Sequence, residues 1–314
     1  MEKKLGSATR DVYGKVLVEL GKKNPNVVVL EADLSKSTKS YDFSKAFPER
    51  FFNVGIMEAN MCGVAAGLAG SGKIPFISSF ASFLICKGYD QLRMAVAYSG
   101  TNVKVVGSHG GISLGEDGAS QMSIEDFALT TSLPGFTVLN PSDEFCAKAL
   151  IEQMADHDGA VFMRTGRPKA PIVHNADTKF KIGKGVKVRD GKDVTIVATG
   201  LLVFEAMQAA EDLQKEGISA SVVDMHTIKP LDEELLISEA KKTGRMVVCE
   251  EHQIWGGLGS AVARFISTAV PCKMEFVAIQ DTYAESGQPD ELLAKYGLTA
   301  PSITKAVKKV FKNA

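Results

Sequence analysis

The sequence predicts an α/β protein of two domains, each a mostly parallel sheet flanked by helices. Short runs rich in Val, Ile and Phe alternate with helical segments along almost the whole chain, the pattern of strand–helix–strand units. Its 314 residues suffice for two hydrophobic cores. Between Gly166 and Gly191 the periodicity fades while Pro, Gly and Lys rise, which marks a junction. The domains are expected at residues 1–170 and 192–314, with a linker at 171–191.

Taken in order, Ala8 to Lys22 reads as a helix because Val12, Val16 and Leu20 recur every fourth residue, with Ser7 or Thr9 as its cap. Val27 to Glu31 is a strand, and the polar loop ADLSKSTKS follows it. Phe51 to Val54 leans to β and gives way to a helix of small residues reaching towards Gly72. A strand (Pro75 to Ser79), a helix (Ser82 to Tyr98) and a strand (Val103 to Ser108) come next. The loop HGGISLGEDGASQ leads to a helix near Ile124 to Thr131. Phe136 to Asn140, Ser142 to Asp156 and Ala160 to Arg164 close the domain as strand, helix and strand. In the second domain strands are expected at Val194 to Ala198, Ala220 to Asp224, Met246 to Glu250 and Lys273 to Ala278. Helices are expected near Phe204 to Glu216, Asp232 to Thr243, Leu258 to Thr268 and Asp290 to Tyr296, with a basic tail helix ending at Phe311.

Apolar residues make up 45 % of the chain and charged residues 23 %, with a net charge of −1. That balance gives no overall pull toward nucleic acid or an acidic membrane. No apolar run approaches a membrane span, and the N-terminal stretch lacks the apolar core of a signal peptide. The five cysteines form no CxxC pair. They read as reduced thiols of a cytoplasmic protein, not as a zinc site.

Within Phe51 to Gly72 the only ionisable side chain besides the Cys62 thiol is Glu58. A carboxylate in apolar surroundings is costly to keep charged. Glu58 therefore either answers the positive end of a helix or serves chemistry that needs an acid, and the stretch itself does not choose. Ligands of open α/β sheets gather at the carboxyl ends of the strands. Polar residues stand at five such ends: Asp33 with Ser37, Glu58, His109, the GEDG loop and Arg164. The HGGISLGEDGASQ loop offers backbone N–H groups to a ligand or is a mobile surface loop, and it matches neither GxGxxG nor a P-loop. Gly256 to Ser260 either present amides to an anion at a helix start or allow tight packing. Phe80 and Phe83, three residues apart, are core or a slot for a flat heteroaromatic ring. Arg10 and Arg164 are solvated or are forks for a phosphate. His157 and His174 read as surface residues.

In order along the chain, ATR, ADLSKS, NVGIMEANMCGVAAGLA, PFISSFASFL, SHGGISLGEDGAS followed by IED, LPGFTVLNPSD and FMRTGRP together resemble the C-terminal half of a transketolase. The resemblance covers nearly the whole chain and implies a pyrimidine-binding domain and a C-terminal domain of a thiamine-diphosphate enzyme. It implies that Glu58 hydrogen-bonds the cofactor's aminopyrimidine ring and that Phe80 and Phe83 line the pocket of that ring. It places Asp33 near the cofactor at a subunit interface. Arg10, Ser37, His109 and Arg164 match the sugar-phosphate clamp, His109 also counts among the catalytic residues, and Asp117 matches a contact to a substrate hydroxyl.

Two positions depart from the family. Cys86 stands where the pocket has its third aromatic, and Gln121 stands where histidine is common. Glutamine donates a hydrogen bond but does not titrate near neutral pH. The larger departure is that neither GDG nor NN, which hold the diphosphate and its Mg²⁺ or Ca²⁺ in the family, occurs here. The resemblance thus implies half an enzyme: a split subunit with no metal site of its own, whose N-terminal partner carries the diphosphate domain, with two copies of each chain. The implied reaction, typical of the pentose phosphate pathway, moves a two-carbon ketol unit from a ketose phosphate to an aldose phosphate. A 2-oxoacid dehydrogenase β subunit, a 1-deoxyxylulose-5-phosphate-synthase-like enzyme and a non-catalytic assembly subunit are the alternatives.

Overall fold

The computed structural model describes residues 2–312. Strand β1 (Leu5–Ala8) and helix α1 (Thr9–Lys23) open the chain, followed by β2 (Val27–Glu31), α2 (Ser35–Thr38), α3 (Tyr41–Ala46), β3 (Phe51–Asn53), α4 (Glu58–Gly70) and β4 (Ile74–Phe80). Helix α5 (Ala81–Gln91) continues as a π-helical segment to Tyr98, and β5 (Lys104–Ser108), α6 (Asp126–Ser132), β6 (Thr137–Leu139), α7 (Glu144–Asp156), β7 (Val161–Thr165) and β8 (Lys169–Pro171) follow. The remainder is β9 (Val186–Arg189), β10 (Val194–Ala198), α8 (Leu202–Lys215), β11 (Ala220–Asp224), β12 (Thr227–Lys229), α9 (Glu233–Thr243), β13 (Arg245–Gln253), α10 (Leu258–Ala269), β14 (Lys273–Ile279), α11 (Pro289–Lys295) and α12 (Ala300–Lys312).

Two α/β sheets result, as the alternating pattern predicts. The first has seven strands in the order β12-β6-β7-β5-β4-β2-β3, and the second has five in the order β14-β13-β10-β11-β9. All pairings within them are parallel except β12 on β6 and β9 on β11. The central strands β2, β5, β7, β10 and β11 are buried along their full length, because helices cover both faces of a parallel sheet. Their apolar runs supply the cores.

Two local expectations are corrected, the cap of α1 and the exposure of His174. Helix α1 is capped by neither Ser7 nor Thr9: Ala8 occupies the cap position without a side-chain bond, and Thr9 Oγ1 instead accepts from the Gly166 N–H at 2.7 Å. β8, at the end of the expected first domain, pairs with β1, and β9, within the stretch 171–191, forms an edge of the second sheet. His174, expected at the surface, is buried; its Nε2 lies 2.8 Å from Asp224 Oδ2, which also accepts from Ser142 Oγ at 2.6 Å. Strand β12 crosses from the second half of the sequence into the first sheet, which ties the two halves together.

Among the described residues, no helix is long and apolar enough to cross a membrane. All five cysteines are free thiols.

Candidate active site

The site lies where parallel strands end. β2 leads to Asp33 and Ser37, β3 leads into α4 and Glu58, β4 ends on Phe80, β5 leads to His109, and β7 leads to Arg167. Two of these residues, Asp33 (φ 65°) and His109 (φ 61°), adopt the left-handed conformation that is unfavourable for a side chain. Such strain persists only where the surroundings hold it, and it concentrates at functional sites.

Glu58 is the first residue of α4 and only 2 % exposed. It makes no capping bond, and among the described residues its Oε1 is buried without a hydrogen-bond partner. Its Oε2 lies 3.8 Å from Lys87 Nζ. A buried acceptor left open is expensive, so the capping explanation loses ground and a ligand donor becomes the natural partner. Nearby, the rings of Phe80 and Phe83 stack at 5.6 Å, and His109 stacks on Phe80 at 3.9 Å. The Lys87 ammonium stands 4.6 Å from the centre of the Phe83 ring. Phe80 is buried and Phe83 half-buried, so the pair is both core and wall.

Two arginines, Arg10 and Arg167, adjoin this stack. Arg10 Nη1 donates to the Ser37 carbonyl at 3.1 Å and to His109 Nε2 at 2.9 Å. A guanidinium only donates, so Nε2 is the acceptor and the imidazole proton sits on Nδ1, 2.7 Å from Ser108 Oγ. Burial, with Arg10, Arg167 and Lys39 adding to it, pushes His109 down to about 3. The ring is therefore neutral near pH 7 and orients Arg10 without carrying charge. Arg167 donates to the Leu114 carbonyl at 2.9 Å and lies 3.6 Å from Asp117 Oδ1. Burial lowers the pKa of Arg10, Asp11 opposes that shift, and the field of Arg167 adds to the lowering.

Arg164 is turned into the protein instead. It is 3 % exposed, forks onto Asp126 through Nε (2.8 Å) and Nη2, donates to the carbonyls of Glu251 (2.7 Å) and Ser123 (3.3 Å), and lies 3.8 Å above the Phe127 ring. Four of its five N–H groups are taken by protein partners. Arg167, three residues on, is the arginine beyond the strand end. The signal was present in FMRTGRP: a strand ending at Thr165 keeps Arg164 inside the sheet and sends Arg167 into the loop.

The other expected residues fall around these two clusters. Asp33 is exposed, and its Oδ1 accepts from Asn53 Nδ2 at 2.9 Å while its own N–H donates to Asn53 Oδ1. Gln121 is half-buried, and its carbonyl accepts from Ser82 Oγ at 2.9 Å. Cys86 Sγ lies 3.6 Å from Glu125 Oε1, and burial together with that carboxylate pushes the thiol up to about 12. Glu31 was missed by sequence reasoning. Its carboxylate knots the Asp33–Ser37 loop by accepting from the Leu34 N–H (2.9 Å), Ser40 Oγ (3.1 Å) and Thr38 Oγ1. Burial pushes it up to about 7, against those bonds.

The Gly256 to Ser260 turn presents amides to a carboxyl group of the protein itself. The Leu258 and Gly259 N–H groups donate to Glu250 at 2.7 and 2.8 Å. Among the described residues, no group of three or more His, Cys, Asp or Glu side chains could hold a metal ion.

Comparison with known proteins identifies the family. The family "Transketolase, pyrimidine binding domain" matches residues 6–172, and "Transketolase, C-terminal domain" matches residues 183–303. A protein named as a transketolase C-terminal section from Methanocaldococcus jannaschii is 46 % identical over 96 % of both chains. A 6-deoxy-6-sulfo-D-fructose transketolase subunit from a Clostridium species is 42 % identical over 96 % of this chain and 94 % of its own. Human transketolase is 39 % identical, but the match covers 98 % of this chain and only 49 % of the human protein. A solved structure described as a split gene transketolase, inactive beta4 tetramer, superposes with a TM-score of 0.92 at 48 % identity, covering 98 % of this chain and 99 % of that one.

Proposed function

Because this chain belongs to the transketolase family, we propose that it is the C-terminal subunit of a two-chain transketolase, a transferase of two-carbon ketol units from a ketose phosphate to an aldose phosphate. Its partner would be an N-terminal subunit that brings the diphosphate domain and holds Mg²⁺ or Ca²⁺. The observation that carries the reading is Glu58: a buried carboxylate with one oxygen unpartnered among the described residues, beside a stacked phenylalanine pair. That combination fits an aminopyrimidine ring, which stacks on an aromatic face and shares a proton with a carboxyl group.

When bound, thiamine diphosphate supplies the electron sink for breaking the carbon–carbon bond. The residues of this chain bind and orient. Glu58 would share a proton with the pyrimidine ring, and Phe83 would offer that ring an aromatic face. Arg10 and Arg167 clamp the phosphate with Ser37, His109 sets the direction of Arg10, and Asp117 accepts from a sugar hydroxyl. Gln121 donates to the sugar but moves no proton. The sulfo-sugar relative widens the range of donors to be tested, since a sulfonate is also a tetrahedral anion suited to two guanidinium groups.

A second copy of this chain belongs on α4. Gly63, Gly67 and Gly70 face open space, and Ile56 and Met57 are 73 % and 57 % exposed beside them. An apolar patch of this kind next to a half-built site supports an α2β2 assembly.

The test mixes the chain with its presumed partner, thiamine diphosphate, Mg²⁺, xylulose 5-phosphate and ribose 5-phosphate. Sedoheptulose 7-phosphate is the expected product. Its absence would overturn the reading, and consumption of pyruvate with glyceraldehyde 3-phosphate would favour the synthase-like alternative.

A further inference from the structure

The second domain packs against the loop of the candidate site, burying Ile112 and Leu114 in its core and adding one buried carboxyl group. Glu251 lies in β13, yet its Oε1 accepts a hydrogen bond from the Ser113 backbone N–H at 2.6 Å, across the junction between the domains. Ser113 sits in the loop that carries His109 before it and Asp117 after it. This loop is pressed onto the second domain. A Cβ on Gly111, where φ is +81°, would stand 2.3 Å from Glu251 Cδ, so the carboxylate fills the space a side chain would need. A Cβ on Gly110 would stand 2.5 Å from Arg164 Cδ, and Arg164 in turn holds the Glu251 carbonyl at 2.7 Å. A buried amide left without an acceptor is costly, and the Glu251 oxygen supplies that acceptor. It fixes the chain four residues after His109, whose left-handed φ of 61° needs such support.

We propose that Glu251 is a positioning residue for ketol transfer: by holding Ser113 it sets the loop that presents His109 and Asp117 to the sugar phosphate. The second domain then contributes to substrate binding without touching substrate. This inference rests on the function proposed above.

Two variants and two measurements test it. Glu251→Ala removes the acceptor, whereas Glu251→Gln keeps an oxygen that can accept from Ser113. Amide hydrogen exchange on the full chain should show Ser113 exchanging about tenfold faster or more in Glu251→Ala, with the amides of β10 and β11 unchanged. In the two-chain enzyme the same variant should raise KM for the sugar phosphate about tenfold. The half-saturating cofactor concentration should stay within about twofold of wild type, and Glu251→Gln should restore both readouts to within about threefold. Unchanged Ser113 exchange, or acceleration spread evenly over both domains, would overturn the positioning role. So would an equal rise in sugar and cofactor requirements. Absence of ketol transfer by the wild-type pair would instead overturn the function, and the exchange measurement would still decide whether Glu251 holds the loop.

Discussion

Arg164→Met and Arg167→Met, made side by side, should separate a structural arginine from a substrate arginine three residues away. Arg164 donates to both Asp126 oxygens and to the carbonyls of Glu251 and Ser123. Asp126 is fully buried, and burial alone would push the guanidinium down if Asp126 did not more than restore it. Replacing Arg164 leaves a buried carboxylate without its counter-ion, which costs about 3–5 kcal/mol. The melting midpoint should fall by about 6 °C or more. Arg167 is part-exposed; its contacts with Glu116 (3.4 Å) and Asp117 (3.6 Å) are surface pairs, and its bond to the Leu114 carbonyl (2.9 Å) is worth about 1 kcal/mol. Its loss should lower the melt far less than loss of Arg164. It removes a charge-assisted contact to phosphate worth about 1.5–3 kcal/mol, so KM for the sugar phosphate should rise about 10- to 100-fold. The assays are a thermal melt of each variant and steady-state kinetics of the reconstituted pair. A stable Arg164→Met with a raised KM, alongside a kinetically normal Arg167→Met, would refute the reasoning and return Arg164 to the clamp.

Three further outcomes are expected. Glu31 has its folded pKa raised from 4.5 to about 7 by burial, so the native state holds a proton that the unfolded chain releases. Stability should therefore decline as pH rises from about 4.5 to about 7, by a total on the order of 3 kcal/mol, and level off above; denaturant melts of Glu31→Gln should lack that slope, and an identical slope would contradict the assignment. Phe83→Ala removes the outer ring of the stack and should weaken cofactor binding about tenfold, read by titration of the reconstituted pair; unchanged affinity would show that the ring binds elsewhere. Ile56→Asp places a charge on the exposed apolar patch by α4 and should shift the chain from self-associated species to monomer in sedimentation velocity, while an unaffected assembly would move the interface to another face.

The parallel sheets were legible because a strand buried on both faces must be apolar throughout, as VVVLE at β2 is. Glu58 was legible for the converse reason: a single acid in an apolar stretch either has a partner or does something. What the sequence could not display was the partnering of polar groups across the fold. Arg164 looks like a phosphate fork until Asp126, 38 residues earlier, is seen to occupy it. His174 looks like a surface residue until Asp224, 50 residues later, closes on it. Strand β12 is too short for its own pattern to announce it, and it exists because it completes the edge of a sheet begun far earlier in the chain. Arg167 was within reach, since the strand boundary at Thr165 decides which arginine enters the loop. The Glu251–Ser113 bond joins residues 138 apart and had no local signature.

The central claim is that Glu58 shares a proton with the cofactor's pyrimidine ring, and proton exchange at the cofactor's thiazolium carbon reads that role directly. In the reconstituted wild-type pair, hydrogen–deuterium exchange at that carbon should be fast. In Glu58→Ala, with cofactor saturating and the complex assembled, it should slow by about 100-fold or more, the usual contribution of a positioned acid–base group. Exchange at the wild-type rate in Glu58→Ala would contradict the account.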